Sequence, residues 1–278
     1  MSEHQPVPAV KPTPGSAEDE SGERYRAPAL DKGLDILEVL AATEVGMTQA
    51  EIAKALERSP SQIYRMLDRL VRRGYAVRTD AERYELSLKL FALAHQHSPR
   101  RRLVSLAIPL MRSFVKVAEQ TCHLAVFDRG EVVVIAQLDA PTYWGIAIRV
   151  GAHVGLIGTG SGHVLLAFQS PAERAMMLAE HEAASGERPV PPDLEAHLAA
   201  LRARGHERMA SLQTQGVTNI AAPVLGPDRS AIAALSCAFV AQADPTRPDI
   251  DVAVARLVEA AQALTALAGG QPASSLPR

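Results

Sequence analysis

TQAEIAKALERSPSQIYRMLDRLVRRG, running from Thr48 to Gly74, spells two short helices and the turn that joins them. Thr48 and Glu51 have the spacing of a capping box, in which the hydroxyl accepts from the Glu51 amide and the carboxylate reaches back. Ile52, Ala53 and Leu56 give the first helix one apolar stripe. Ser59 then caps a second helix, with Pro60 at its first position and Gln62 reaching back. Ile63, Met66, Leu67, Leu70 and Val71 recur at helical spacing until Gly74. The pattern is a helix-turn-helix whose second helix carries Arg65, Arg69, Arg72 and Arg73 off its apolar stripe. Two readings of it stand: a DNA-reading unit, or an ordinary pair of amphipathic helices with a solvated arginine face.

Three neighbouring features favour DNA. The chain carries a net charge of −2, which excludes general polyanion binding, so any basic surface must be local. Between Arg58 and Arg78 there are six arginines and one acid, Asp68, a net +5 suited to phosphate contacts. The exposed start of the second helix offers Gln62, Tyr64 and Arg65, hydrogen-bonding side chains placed where a recognition helix meets base edges. Ser59, Ser61, Arg69 and Arg78 are candidates for holding the phosphate backbone, and Thr48 and Gln49 complete the candidate DNA-binding set. Finally, residues 75–86 read as two short strands around Asp80-Ala81-Glu82. A hairpin directly after a recognition helix is the wing of a winged helix, and its Arg78 and Arg83 are within reach of flanking backbone.

At 278 residues and 47% hydrophobic content the chain has room for more than one globular domain. Two cysteines, Cys122 and Cys237, make no disulfide framework, which suits a reducing cytoplasm. No basic segment followed by an apolar stretch opens the chain, and no apolar run reaches bilayer length, so neither a signal peptide nor a membrane partner is expected. Residues 1–24 are rich in Pro, Ser and acids and are expected to be a disordered tail. Residues 25–86 make the winged helix-turn-helix domain. Its first helix, from about Ala29 to Ala42, is expected to bury Leu30, Leu34, Leu37 and Leu40. Residues 87–102 form a connector, a helix over 87–97 through Leu88, Leu90, Phe91 and Leu93, broken by Ser98-Pro99-Arg100-Arg101-Arg102. Residues 103–270 form a second domain and 271–278 a flexible tail.

The second domain opens with a helix from Leu103 to Glu119. A hairpin follows, Cys122–Phe127 and Glu131–Ala136 around Asp128-Arg129-Gly130. A third strand is expected from Trp144 to Val150, then a glycine-rich loop, Gly155 to Gly162, opening into a helix at His163–Phe168. Helices are expected at 171–182, 192–204 and 250–267, and strands at 220–224 and 231–240. This is an α+β domain with a mixed or antiparallel sheet.

Several ordered landmarks resemble one family. Leu30-Asp31-Lys32-Gly33-Leu34-Asp35-Ile36-Leu37 is followed by Thr48 to Ala53, by Arg65 to Leu70, and by Arg73-Gly74-Tyr75. In the second half come His123-Leu124-Ala125-Val126, Gly130 to Val133, Arg149-Val150-Gly151, Leu165 to Phe168, and Gly216-Val217 ahead of Ile220 to Val224. Over residues 27 to 270 this succession resembles the IclR family of bacterial transcriptional regulators. The resemblance implies a winged helix-turn-helix domain, a connector helix and a GAF-like effector-binding domain. It also implies a homodimer or tetramer on double-stranded operator DNA, whose affinity a small molecule alters.

Thr159-Gly160-Ser161-Gly162 lies where a strand runs into a helix, and free amides at a helix start attract anions. By family position, Gly160 and Ser161 donate to an acidic effector, an organic acid. Without the family, the glycines read first as a tight strand-to-helix turn. The other effector candidates are Met209, Ser211, Asn219 and Ser236, whose side chains other than Met209's both donate and accept. Family relatives often carry cysteine at the Asn219 position and lysine at the His163 position, so the ligand stays open. Tyr143 and Trp144 offer ring faces first to a core or interface, and otherwise to an aromatic acid. No nucleophile elbow, Walker lysine, dinucleotide fingerprint or HExxH spacing is present, so no catalytic residue, cofactor or metal is expected. The reading is a ligand-responsive transcriptional repressor of a metabolic operon. The alternatives are a winged-helix protein-interaction module and a metabolic enzyme with an accessory DNA-binding domain.

Overall fold

The computed structural model describes residues 27–43, 45–96, 98–142, 145–185 and 190–271. The expected tail at 1–24, residues 272–278 of the other tail, and Tyr143 and Trp144 lie outside the described residues. The chain divides into two compact units between Gln96 and His97.

In the first unit, α1 (Pro28–Ala41), α2 (Gln49–Ala55) and α3 (Pro60–Arg72) pack around one small core. That core is Ile36 and Leu40 from α1, Ile52 and Ala53 from α2, and Ile63 and Leu67 from α3, closed by Ala76 and Tyr84. The capping box forms as expected: Glu51 N donates to Thr48 Oγ1 at 3.3 Å, and Thr48 N donates to the Glu51 carboxylate at 2.8 Å. The wing forms too, from β2 (Ala76–Arg78) and β3 (Arg83–Leu86), with Ala76 opposite Leu86. A strand the sequence did not reveal, β1 (Met47–Thr48), pairs with β3 and makes the order β1-β3-β2. Two residues carry too little alternation to be read as a strand.

Helix α1 corrects one expectation. It buries Ile36 and Leu40, while Leu30 is 61% and Leu34 47% exposed. The unit's core reaches only the C-terminal half of α1, and Leu30 and Leu34 lie outside it. The helix α4 (Lys89–Gln96) likewise leaves Leu90, Phe91 and Leu93 exposed.

The second unit begins with α5 (Ser98–Ala118). Ser98-Pro99-Arg100-Arg101-Arg102, expected to break the helical pattern, is itself helical within α5. Behind α5 stands a six-stranded antiparallel sheet of order β6-β5-β4-β9-β8-β7. Its strands are β4 (Cys122–Asp128), β5 (Glu131–Leu138), β6 (His153–Val154), β7 (Glu207–Ala210), β8 (Val217–Leu225) and β9 (Ala231–Val240). The β4–β5 hairpin closes through Arg129 and Gly130, both left-handed at φ 46° and 85°, the backbone of a two-residue primed turn. Gly130 is also fixed by space, because a Cβ there would sit 2.4 Å from the Glu180 carbonyl oxygen.

The expected strand at 144–150 is not formed in residues 145–150. Instead Ile148 N donates to the Gln137 side chain at 2.6 Å, and Gly151 and Ala152 exchange backbone bonds with Val134 of β5. A side-chain anchor has no period, which is why an apolar run there imitates a strand.

Helices cover both faces of the sheet. Helices α5 and α9 (Ile250–Leu267) enclose one core, and α6 (Gly160–Ala167), α7 (Pro171–Ser185) and α8 (Leu194–Arg204) enclose the other. The strands alternate between the two cores: Leu124 and Val126 face α5 and α9, and Ala125 faces α6. Ile220 and Ala222 oppose Ala221 in the same way, as Leu235 and Cys237 oppose Ala234. Both cysteines are free and buried among these residues. No helix among the described residues is long and apolar enough to cross a membrane.

Candidate DNA-binding and effector sites

Helix α3 turns Ile63 and Leu67 inward and leaves Ser61, Gln62, Tyr64, Arg65, Arg69, Arg72 and Arg73 exposed. The six-arginine cluster proves partly matched by acids. Arg58 pairs with Asp35 at 2.8 Å, Arg72 with Asp68 at 2.9 Å, and Arg78 with Glu82 at 2.7 Å. Among the described residues, Arg65, Arg69 and Arg73 have no acidic partner. Exposed pairs such as Arg78–Glu82 contribute little, about 0–1 kcal/mol, so a phosphate can replace the carboxylate. Arg83 differs: it pairs with Glu51 at 2.9 Å and donates to the Gly46 carbonyl. It ties the wing to α2.

Ser59 stands at the N-cap of α3 without a side-chain cap bond. The Gln62 amide donates to the Ser59 carbonyl at 3.1 Å, and the Ser59 hydroxyl lies 3.2 Å from that of Ser61. The expected Ser59–Gln62 cap is thereby replaced, and both hydroxyls lie at the exposed entrance of the helix. Thr48 is occupied in its capping box. Gln49 donates to the Pro60 carbonyl at 2.9 Å, which sets the start of α3 against α2.

In the second unit, α6 begins at the glycine-rich loop. Thr159 caps it, accepting from Gly162 N at 3.1 Å while donating to the Gly155 carbonyl at 2.6 Å. The first amides of α6, on Gly160 and Ser161, have no intrahelical acceptor. Above them is a small cavity of about 40 Å³ lined by His123, Gly160, Ser161, Asn219 and Ser236, among others. Ser161 Oγ lies 2.8 Å from Ser236 Oγ and 3.5 Å from His123 Nε2. Burial lowers the His123 pKa to about 4, so the imidazole is neutral near pH 7 and polar without charge.

Four expected effector residues thus meet, Gly160, Ser161, Asn219 and Ser236. The other two do not line the cavity. Met209 lies opposite Asn219 on the sheet, half-buried, and the Ser211 hydroxyl accepts from the Gln213 and Thr214 amides at 3.2 Å each. Ser211 is a turn former. His123 was missed as a lining residue, although strand alternation was a usable signal: it shares the α6-facing side of β4 with Ala125. A larger hollow of about 340 Å³ lies beside Phe168, Arg202 and Asp228. Its polar groups are engaged already, Asp228 with Ser230 at 2.8 Å and Arg202 with the Ala167 carbonyl at 2.5 Å. We therefore place the candidate effector site at the smaller cavity.

A winged helix-turn-helix unit followed by an α-covered antiparallel sheet with a buried polar pocket defines a ligand-responsive transcriptional regulator. The chain belongs to the IclR family: residues 95–266 match the family's "Bacterial transcriptional regulator IclR C-terminal", and residues 29–80 match the "IclR helix-turn-helix domain". It is 31% identical to the HTH-type transcriptional regulator BhcR of Paracoccus denitrificans over 225 residues, covering 79% of this chain and 78% of that one. With the regulator KdgR of Escherichia coli it shares 30% over 200 residues, covering 70% and 75%. In fold it is similar to an IclR homologue from Microbacterium hydrocarbonoxydans solved in complex with 4-hydroxybenzoate. The TM-score is 0.69 at 24% identity, covering 86% of this chain and 98% of that one. Both relatives are HTH-type transcriptional regulators, and the two family domains make this chain a DNA-binding regulator with a small-molecule effector domain.

Proposed function

We propose that the protein is a repressor of a metabolic operon that leaves its operator, or tightens on it, when a small carboxylate-bearing metabolite binds. Its DNA-binding domain spans residues 25–86 and its effector domain 103–270. The observation that carries this reading is the exposed face of α3, where Gln62, Tyr64, Arg65, Arg69 and Arg73 stand together opposite the buried Ile63 and Leu67. Gln62, Tyr64 and Arg65 read bases, and Ser59, Ser61, Arg69 and Arg78 hold phosphates. A dimer, or a tetramer of two, presents its α3 helices to major grooves one helical turn of DNA apart or a multiple of it.

The carboxylate assignment is supported by the unpaired first amides of α6, which favour an anion, and by hydroxyl groups on Ser161 and Ser236 that can donate to it. The homologue solved with 4-hydroxybenzoate, itself a carboxylate, lends the same support. Two free buried cysteines fit a reducing cytoplasm. An effector changes DNA affinity only if it binds one arrangement of the protein better than the other. The test is fluorescence anisotropy of the full chain with fragments of its own upstream region, with and without small organic acids. Tight, salt-dependent binding to one fragment that an acid shifts is the expected result. Equal binding to all fragments, whatever acid is added, refutes the proposal.

A further inference from the structure

Three metal-competent side chains meet below the glycine-rich loop, each from a different element. His163 comes from α6, His197 from α8 and Glu207 from the first position of β7, and one ligand atom of each lies within 4.8 Å of the others. Glu207 is fully buried, with its Oε2 2.9 Å from His163 Nδ1 and 2.5 Å from His197 Nε2. Its other oxygen accepts from the Arg208 amide at 2.8 Å and from the Arg204 guanidinium at 3.2 Å. Two imidazoles therefore converge on one carboxylate oxygen.

The far nitrogen of His163 is already fixed. His163 Nε2 is 2.5 Å from the Ile157 carbonyl oxygen, a group that only accepts, so this nitrogen donates there. Nδ1 of the same ring points at Glu207 Oε2, the oxygen that His197 Nε2 also approaches. An imidazole whose far N–H is fixed on a backbone carbonyl is the usual posture of a metal-ligating histidine. Two imidazole nitrogens and one carboxylate oxygen are a ligand set zinc accepts.

We propose that His163 Nδ1, His197 Nε2 and Glu207 Oε2 form a site for a divalent transition metal, with zinc the best match. Three protein ligands leave one tetrahedral position for water. A metal there needs the lone pairs of His163 Nδ1 and His197 Nε2, so a proton held on either nitrogen must leave it. The Arg204 guanidinium on the opposite carboxylate oxygen draws charge away from the metal, so the site is weaker than one without it. The ion would tie α6, α8 and β7 together beneath the effector loop. Ile157 belongs to that loop, and a Cβ on Gly160 would lie 3.5 Å from Glu207 Cγ. The metal site stands independently of the effector reading, whose failure would leave it intact.

The full-length protein, stripped with a chelator, is titrated with Zn²⁺ alone by calorimetry in two buffers of different ionisation enthalpy, and with Co²⁺ by visible absorption. One ion per protomer and the strong absorption of tetrahedral Co²⁺ are expected. His197→Ala changes a partly exposed residue, and Glu207→Gln keeps the side chain's shape. Each should weaken Zn²⁺ at least tenfold, with thermal melts and circular dichroism verifying that both variants fold. If His197→Ala folds and binds Zn²⁺ as tightly as the wild type, the ion sits elsewhere and the proposal is overturned. Wild-type protein that takes up no stoichiometric Zn²⁺ overturns it as well.

Discussion

Arg65 and His123 show how differently single residues act in the two units. Arg65 is exposed on α3 with no acidic partner among the described residues, and its two terminal nitrogens can grip one guanine edge. Arg65→Ala is expected to weaken operator binding by about 1–3 kcal/mol and to relax preference at a single base. Anisotropy titrations against the operator and single-base variants measure it, and a uniform loss on operator and random DNA would make Arg65 a phosphate contact. His123, by contrast, is buried, and its pKa falls from an ordinary 6.5 to about 4. Between those values the unfolded chain binds a proton that the folded chain refuses, so stability rises with pH. The contribution is complete above pH 6.5 and is lost as pH falls to 4, a change of roughly 3 kcal/mol. Urea unfolding of wild type and His123→Gln across this range should show the wild type losing the larger share. Parallel curves would mean that the imidazole titrates alike in both states.

Among the elements, the loop into α6 places the tightest demand on sequence. A Cβ on Gly162 would lie 1.9 Å from the Leu156 carbonyl oxygen, which is backbone and cannot swing aside. A Cβ on Gly160 would meet only the side-chain carbons of Asn219, Glu207 and Ala221 at 3.5–3.6 Å, ordinary contact. Gly162→Ala is therefore expected to cost about 1–3 kcal/mol or more. Gly160→Ala should fold normally and weaken effector response, because its methyl group would lie against Asn219, a lining residue of the cavity. Thermal melts with effector titrations separate the two, and equal melting temperatures would show that the loop yields.

The same scale explains what the sequence revealed. Capped or strongly periodic helices, α2, α3 and α9, were legible, as was the β4–β5 hairpin with its Arg129-Gly130 turn. β1, β6 and β7 were not, because two to four residues carry no measurable period. Residues 145–150 misled because a Gln137 side chain, not a ladder, holds them. Of the candidate site, Gly160, Ser161, Asn219 and Ser236 could be named in advance and meet at one cavity. Glu207 with His163 and His197 could not, since its partners lie 10 and 44 positions away and no linear spacing encodes their meeting.

At the scale of the whole molecule, the first unit carries more apolar surface than it can bury alone. Its core holds eight buried side chains. Leu30 and Leu34 remain exposed one turn apart on α1, and Leu93 on α4 is 43% exposed. Apolar residues at helical spacing, left in water, favour a partner that removes them from it; each fully buried leucine contributes about 1.5–3 kcal/mol. A second copy of the chain is the partner operator recognition requires, because one α3 fills only one half-site. Leu30→Lys with Leu34→Lys should leave the fold intact, since substitutions at exposed sites usually stay within about 0.5 kcal/mol. It should nonetheless weaken binding to a two-half-site operator far more than to a single half-site. If the effector domains also pair, sedimentation will still report a dimer while the DNA data show lost cooperation. Unchanged affinity on both DNA lengths would exclude α1 from the contact between copies and direct the search to the exposed face of α4.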